Sequence, residues 1–295
     1  MHLSTHNWMR AEPLETTLAR IKKFGYESIE ISGEPTQYNV NDTRKLLKQY
    51  GIRCWGSVTL TLADRNLAAK DPGQRAKTVD YMKSVITMVS ELDGEIITLV
   101  PVTVGKIHPD GTPEEEWQWL IEGVTECYDH GKKKGVRIAI EPLNRFETYL
   151  LNRADQALAL AEAIAPDCGV CIDAFHLNIE DADMYASIKK AGKRLYDFHV
   201  ADNNRMAAGQ GALDWKKIVQ TLRETGYDGA LTVEFVAPVD RTPASQYPNA
   251  IEKNPVDISP EQLKFIQDHG SSLLSEEFYS MLVKKSADTI LPLIK

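Results

Sequence analysis

The stretch KKKGVRIAIEPLNRFE, residues 132–147, closes a helix and opens a strand within a few residues. Gly135 can take the left-handed turn of a helix C-terminus without steric cost. The run RIAI then has the length and branched apolar character of a buried strand. Glu141 stands at the end of that strand, and Glu147 follows in a polar loop. An unpaired carboxylate there would cost several kcal/mol, so Glu141 demands a partner.

The same unit recurs along the chain. Strands are expected at LSTHNW (3–8), SIEIS (28–32), RCWGSVT (53–59), EIITLVP (95–101), RIAIEP (137–142), GVCIDAFH (169–176), LYDFHVAD (195–202) and ALTVEF (230–235). Helical spacing occupies 13–24, 41–50, 74–92, 113–132, 153–165, 181–191 and 214–225. Strict alternation in units of roughly 30 residues is what a closed (β/α)8 TIM barrel requires. A doubly wound open sheet is the competing architecture, but no G-x-G-x-x-G or G-x-x-x-x-G-K-[ST] follows any strand. The 295 residues read as a single domain, with the barrel over about 1–236. A proline-rich loop is expected at 237–258 and C-terminal helices at 259–295.

Composition narrows the function. A content of 43% hydrophobic and 26% charged residues is that of a soluble globular protein, and no apolar run approaches the roughly 20 residues of a membrane span. MHLSTHNW lacks the basic and apolar segments of a signal peptide, which makes a cytoplasmic location the expectation. The net charge of −8 disfavours nucleic acid, whose binding needs basic patches, and favours a small polar substrate. Cys54, Cys127, Cys168 and Cys171 are too scattered for a disulfide framework. Cys168-Gly-Val-Cys171 lacks both the second pair of a zinc ribbon and the helix start of a redox motif.

In a barrel the C-terminal strand ends face the mouth where active sites lie. Four consecutive strands end in strong metal ligands or bases: Glu141, Asp173 with His176 beyond it, His199 and Glu234. The spacings between Glu141, Asp173, His199 and Glu234 are 32, 26 and 35 residues, about one βα unit each. Alone, each acid is more often a helix cap or a surface ion-pair partner than a ligand. In register on neighbouring strands they form a ring, and one shared cation would remove the cost of burying them. Three carboxylates and an imidazole make a mostly hard site, for Mn²⁺, Mg²⁺ or Co²⁺ ahead of Zn²⁺. Cys171 shares the face of Asp173 and reads as core packing beneath the site. Asp197 shares the face of His199, as a support for it or as a deeper ion pair. His6 and Trp8, ending the first strand, line the mouth or close the core, and the role of Glu30 stays open.

Four blocks between 139 and 235, AIEPLNRFETYLLN, CIDAFHLNIED, FHVADNNRMAAGQGALDW and GALTVEF, resemble the xylose isomerase-like TIM barrel superfamily. Within it they are most similar to the ketose 3-epimerases of the D-tagatose and D-psicose type. The resemblance implies that Glu141, Asp173, His199 and Glu234 hold one divalent ion, Mn²⁺ first. It makes Glu147 and Glu234 the acid/base pair, and His176 and Arg205 the holders of substrate oxygens. The implied activity is epimerisation or isomerisation of free keto sugars, by deprotonating the carbon beside the ketone through a metal-bound enediolate. The alternative on the same metal site is a lyase or dehydratase of 3-keto sugars, which could work with a small partner subunit. The resemblance also implies a homo-oligomer, dimer or tetramer.

Overall fold

The computed structural model describes residues 1–240, 242–244, 260, 264 and 273–295. Its strands are β1 (His2–Thr5), β2 (Ser28–Gly33), β3 (Arg53–Thr59), β4 (Ile96–Leu99), β5 (Arg137–Ile140), β6 (Gly169–Asp173), β7 (Leu195–Val200) and β8 (Ala230–Val233). All are parallel, in the order β1-β8-β7-β6-β5-β4-β3-β2. The remaining seam, between β1 and β2, is joined by an isolated bridge at His6 and Glu30, which completes a nearly closed TIM barrel.

The connecting helices are α1 (Leu14–Lys23), α2 (Val40–Tyr50), α3 (Pro72–Glu91), α4 (Pro113–Lys134), α5 (Ala154–Ile164), α6 (Ala174–Glu180), α7 (Met184–Ala191) and α8 (Trp215–Glu224), with α9 (Glu276–Ile294) at the C-terminus. Local chemistry sets their ends. Thr112 and Glu115 form a capping box that starts α4, and Gly135 at φ 73° ends it. Several expected strands run past their observed ends, LSTHNW and GVCIDAFH by three residues each; in the second, residues 174–176 open α6 instead of ending β6. Asp173 caps that helix, its Oδ1 accepting the His176 N–H at 2.9 Å. Most of the expected proline-rich loop, and the first part of the C-terminal helical region, lie outside the described residues.

Two cores result. Outward-facing strand residues such as Leu3, Ile97, Ile172 and Phe198 pack with helix residues such as Leu18, Met82 and Leu120 in a large apolar layer. The barrel interior differs from this layer. At its N-terminal end Trp55, Ile96 and Ala230 form a small apolar plug. Packing there is tight enough that a Cβ on Gly56 would lie 2.3 Å from the Ile96 carbonyl oxygen. Above the plug the interior turns polar. Asp197 of β7 takes contacts from Trp55 of β3 (3.2 Å) and from Thr98 of β4 and Thr232 of β8 (3.5 and 3.4 Å). Contacts to three separate strands are open only to a side chain inside the barrel.

Helix α9 packs beside α1, where Tyr26 donates to the Val283 carbonyl at 2.8 Å and Arg20 to Ser280 at 2.7 Å. It also holds the loop after β7: Ser286 accepts from the Ala208 N–H, and Thr289 donates to the Ala208 carbonyl. Among the described residues no helix is long and apolar enough to cross a membrane.

Candidate active site

The strand ladder brings the four strand-end residues to the same end of the barrel. Asp173 and His199 are direct partners in the β6–β7 pairing. Glu141 and Glu234 stand one residue beyond β5 and β8, fixed by N–H bonds to the Leu99 and Val200 carbonyls, both 3.0 Å. Nδ1 of His199 lies 2.9 Å from Glu141 Oε1 and 3.0 Å from Glu234 Oε2. Nε2 of the same ring lies 3.2 Å from Asp197 Oδ2. All are buried.

This geometry fits a cation. Glu141 Oε1 and His199 Nδ1 approach to 2.9 Å, yet neither makes a hydrogen bond. A buried carboxylate oxygen and an imidazole nitrogen this close need a positive charge between them, either the imidazole's proton or a bound cation. Oxygens from Glu141, Asp173 and Glu234 with one imidazole nitrogen make a donor set of hard character. Without a cation the group is electrostatically burdened: burial, then neighbouring carboxylates, push Asp173 well above the usual carboxylate range, and burial pushes Glu141 up. For Glu234 burial acts in the same sense, but His6, His199 and Arg205 outweigh it and hold the group low. Burial would depress His199, but Cys171, Glu141 and Glu234 raise it well above its ordinary value. Asp197 on the far nitrogen orients the ring, as a carboxylate behind a ligating histidine does. Cys171 lies beside His199 and Glu141, and burial keeps it a thiol.

A cavity opens over Glu141 and Glu234. Glu147, His176, Arg205 and Trp8 line it, with an apolar flank of Val58, Leu60, Val100, Val104 and Leu143. Trp8 also touches the acid cluster, its indole N–H donating to Glu234 Oε1 at 3.1 Å. His6 is fully buried, 3.5 Å from Glu234 Oε1 and ring-to-ring with His199, and it is not part of the cavity wall. Glu30 is buried behind these rings, 3.7 Å from His199 and 3.9 Å from His6. Burial, then Asp197, raises it well above the carboxylate range.

Loop residues complete the site. Arg205 takes a left-handed conformation (φ 60°), which turns its guanidinium onto Glu147 and over the Phe175 ring. Asp202 holds that loop in place. Its Oδ1 accepts from the N–H groups of Asn203 and Leu213, and its Oδ2 from the Gly209 N–H and the Trp215 indole, at 2.8–3.1 Å. Asn144 donates to Glu147 Oε1 at 2.8 Å and contacts His176 Nδ1 at 2.9 Å. Burial lowers His176 to about 4, so its ring is neutral near neutrality. Sequence reasoning passed over Asn144 and Asp202. Both sit inside the diagnostic blocks, but a neutral amide and a loop acid carry no spacing signal of their own.

A larger cavity, about 520 Å³, lies at the opposite end of the barrel among Arg53, Glu95, Arg137 and Lys193. There both arginines already pair with Glu95 (3.3 and 3.4 Å), and no buried carboxylate, histidine or cysteine lines it. The chemistry belongs to the mouth.

Reactive side chains gathered at the C-terminal strand ends of a parallel barrel define the site of a (β/α)8 enzyme. More narrowly, the chain belongs to the xylose isomerase-like TIM barrel family, whose model matches residues 18–269. Among its relatives, the L-ribulose 3-epimerase of Methylomonas sp. (strain DH-1) is 29% identical over 220 residues, 74% of this chain and 76% of that one. The D-psicose 3-epimerase of Ruminiclostridium cellulolyticum is 27% identical over 229 residues, again 74% and 76% of the two chains. A solved D-allulose 3-epimerase from Methylomonas sp. shares the fold with a TM-score of 0.83 at 22% identity, over 100% of this chain and 98% of the other.

Proposed function

We propose that this protein epimerises free keto sugars at the carbon beside the ketone, in the manner of a ketose 3-epimerase, with a divalent ion held by Glu141, Asp173, His199 and Glu234. The observation that carries the reading is the approach of His199 Nδ1 to Glu141 and Glu234, with Asp173 paired to His199 in the β6–β7 ladder, beside a cavity that also presents Glu147, His176 and Arg205. The names of the relatives, L-ribulose and D-psicose 3-epimerases, support the same reaction.

The ion, Mn²⁺ first, would supply Lewis-acid stabilisation of negative charge on the substrate oxygens. The protein's own part is proton traffic and orientation. Epimerisation removes the C3 proton, passes through an enediolate and returns a proton to the opposite face. Glu147 and Glu234, on separate elements of the cavity wall, serve as the two bases, and each such group typically contributes about 10²–10⁴-fold. Trp8 holds one oxygen of Glu234, leaving the other directed at the ligand cluster. His176 and Arg205 donate to the oxygens that gain charge. Among the described residues Arg205 is the only arginine or lysine lining the cavity, and Glu147 already pairs with it, which suits an unphosphorylated substrate.

The ion pair favours a second reading of one role. Arg205 and Asn144 both donate to Glu147 Oε1, an arrangement that also suits a carboxylate orienting substrate hydroxyls, with Glu141 moving the proton.

Incubating the protein with D-fructose, D-psicose or D-tagatose in D₂O tests the reaction. The expected result is deuterium at C3 together with the C3 epimer. No incorporation from any ketose, alongside turnover of a 3-keto glycoside, would replace the epimerase with the lyase.

A further inference from the structure

Asn144 occupies the loop directly after β5, is buried, and touches His176 as well as Glu147. Its carbonyl accepts the Glu147 and Thr148 N–H groups at 2.9 and 3.1 Å, making a tight turn that folds Glu147 back over it. Its side-chain oxygen accepts the Phe146 N–H at 2.9 Å. A backbone N–H can only donate, so this contact settles which end of the amide is oxygen. The NH₂ end therefore faces Glu147 Oε1 (2.8 Å) and His176 Nδ1 (2.9 Å), one hydrogen for each. The backbone N–H of Asn144 reaches the same Nδ1 at 3.2 Å. Two donors on one ring nitrogen require that nitrogen to be an acceptor. The proton of the neutral ring then sits on Nε2, and His176 lines the cavity.

We propose that Asn144 is a positioning residue that locks His176 as the Nε2–H tautomer, so that His176 presents a permanent hydrogen-bond donor to the cavity while Glu147 is held beside it by the same amide. The order of the loop explains how one residue does both. Glu147 lies three residues on, reached within the turn, and His176 is brought alongside by the first turn of α6, itself capped by Asp173. In an enediolate-forming reaction a donor fixed before substrate arrives stabilises the developing oxyanion without reorganisation. A free imidazole would present an acceptor part of the time. That His176 donates to a substrate oxygen rests on the epimerase reading; the tautomer itself does not.

The test is ¹⁵N NMR of the full protein in Mg²⁺ buffer near pH 7, labelled at histidine, with the His176 signals assigned by their loss in His176→Gln. The wild type should show a protonated Nε2 and a bare Nδ1; an Nδ1–H form or an imidazolium overturns the proposal with no variant needed. Asn144→Asp keeps the side-chain volume but turns a donor into an acceptor. It is expected to draw a proton onto Nδ1 and to lower kcat roughly 10–100-fold, with KM changing less. A role in space-filling would leave this isosteric variant active, and a retained Nε2–H tautomer in it overturns the assignment. If no ketose is turned over, the wild-type spectrum still decides the tautomer, so failure of the epimerase reading is distinguishable from failure of this one.

Discussion

Oε1 of Glu141 and Nδ1 of His199 face each other at 2.9 Å without a hydrogen bond between them. As bare electron-pair donors they would repel, so either the imidazole's own proton or a cation lies between them. With the cation there, as proposed, purified protein should carry a stoichiometric divalent ion by elemental analysis, and Glu141→Ala and Asp173→Ala should lose it. An ion at about 100 times its Kd adds about 2.7 kcal/mol to the folded state, so chelation should lower the unfolding temperature of the wild type and leave both variants unmoved. A wild type that neither holds an ion nor responds to Mn²⁺ would remove the site.

Arg205 and Glu147 stand 58 residues apart in sequence and in direct contact at the cavity wall. Glu147→Gln keeps the shape and removes the charge. As a base, Glu147 is expected to cost 10²-fold or more in kcat on substitution, following the typical acid/base contribution of about 10²–10⁴, with the ion still bound. Steady-state kinetics with C3 exchange in D₂O check this. Retained exchange with a raised KM would assign Glu147 to orientation and give the proton to Glu141.

Much of this site could be read before any coordinates. RCWGSVT matched β3 residue for residue, since a glycine-ended helix and a turn bracket it. That Glu141, Asp173, His199 and Glu234 stand at the ends of four neighbouring strands could be expected because strand alternation fixes which face a residue takes, and that holds over a few residues. What was lost depended on contacts between distant segments. GVCIDAFH looks like continuous strand, and only the Asp173 cap shows that helix α6 begins at Ala174. His2, without organised context in the sequence, is buried against Trp55 and Arg53. His6, expected to line the mouth or close the core, is drawn inside by the β1–β2 seam with Glu30. Neither pairing has a local signature.

Asp202 gathers four donors, three from the loop that carries Arg205 and the Trp215 indole at the start of α8. Asp202→Ala strands them in a buried place. At about 1–3 kcal/mol for each unsatisfied group, partly relieved by water, a loss on the order of 3 kcal/mol is expected in urea unfolding. With the loop released, KM for the ketose should rise while the ion stays bound. A variant with wild-type KM and stability would show that Glu147 and Phe175 hold Arg205 without the Asp202 contacts.

Acid should loosen this fold in a defined window. Burial, then the Arg53 charge, holds His2 at about 4 against an ordinary 6.5, and burial does the same for His176. Above about 6.5 both rings are neutral in the folded and unfolded chains alike, and pH is without effect through them. Between about 6.5 and 4 the unfolded chain takes up protons that the folded chain refuses, so stability falls as pH falls. From about pH 7 to about pH 5 the loss is on the order of 2 kcal/mol for each ring. His2 lies at the N-terminal end of the barrel, away from the ligand cluster, so His2→Gln isolates its share without disturbing the ion. Urea unfolding of wild type and His2→Gln at the two pH values should show a shallower acid loss in the variant. Equal losses in the two proteins would mean that His2 titrates normally in the folded state and is not shielded as its contacts require.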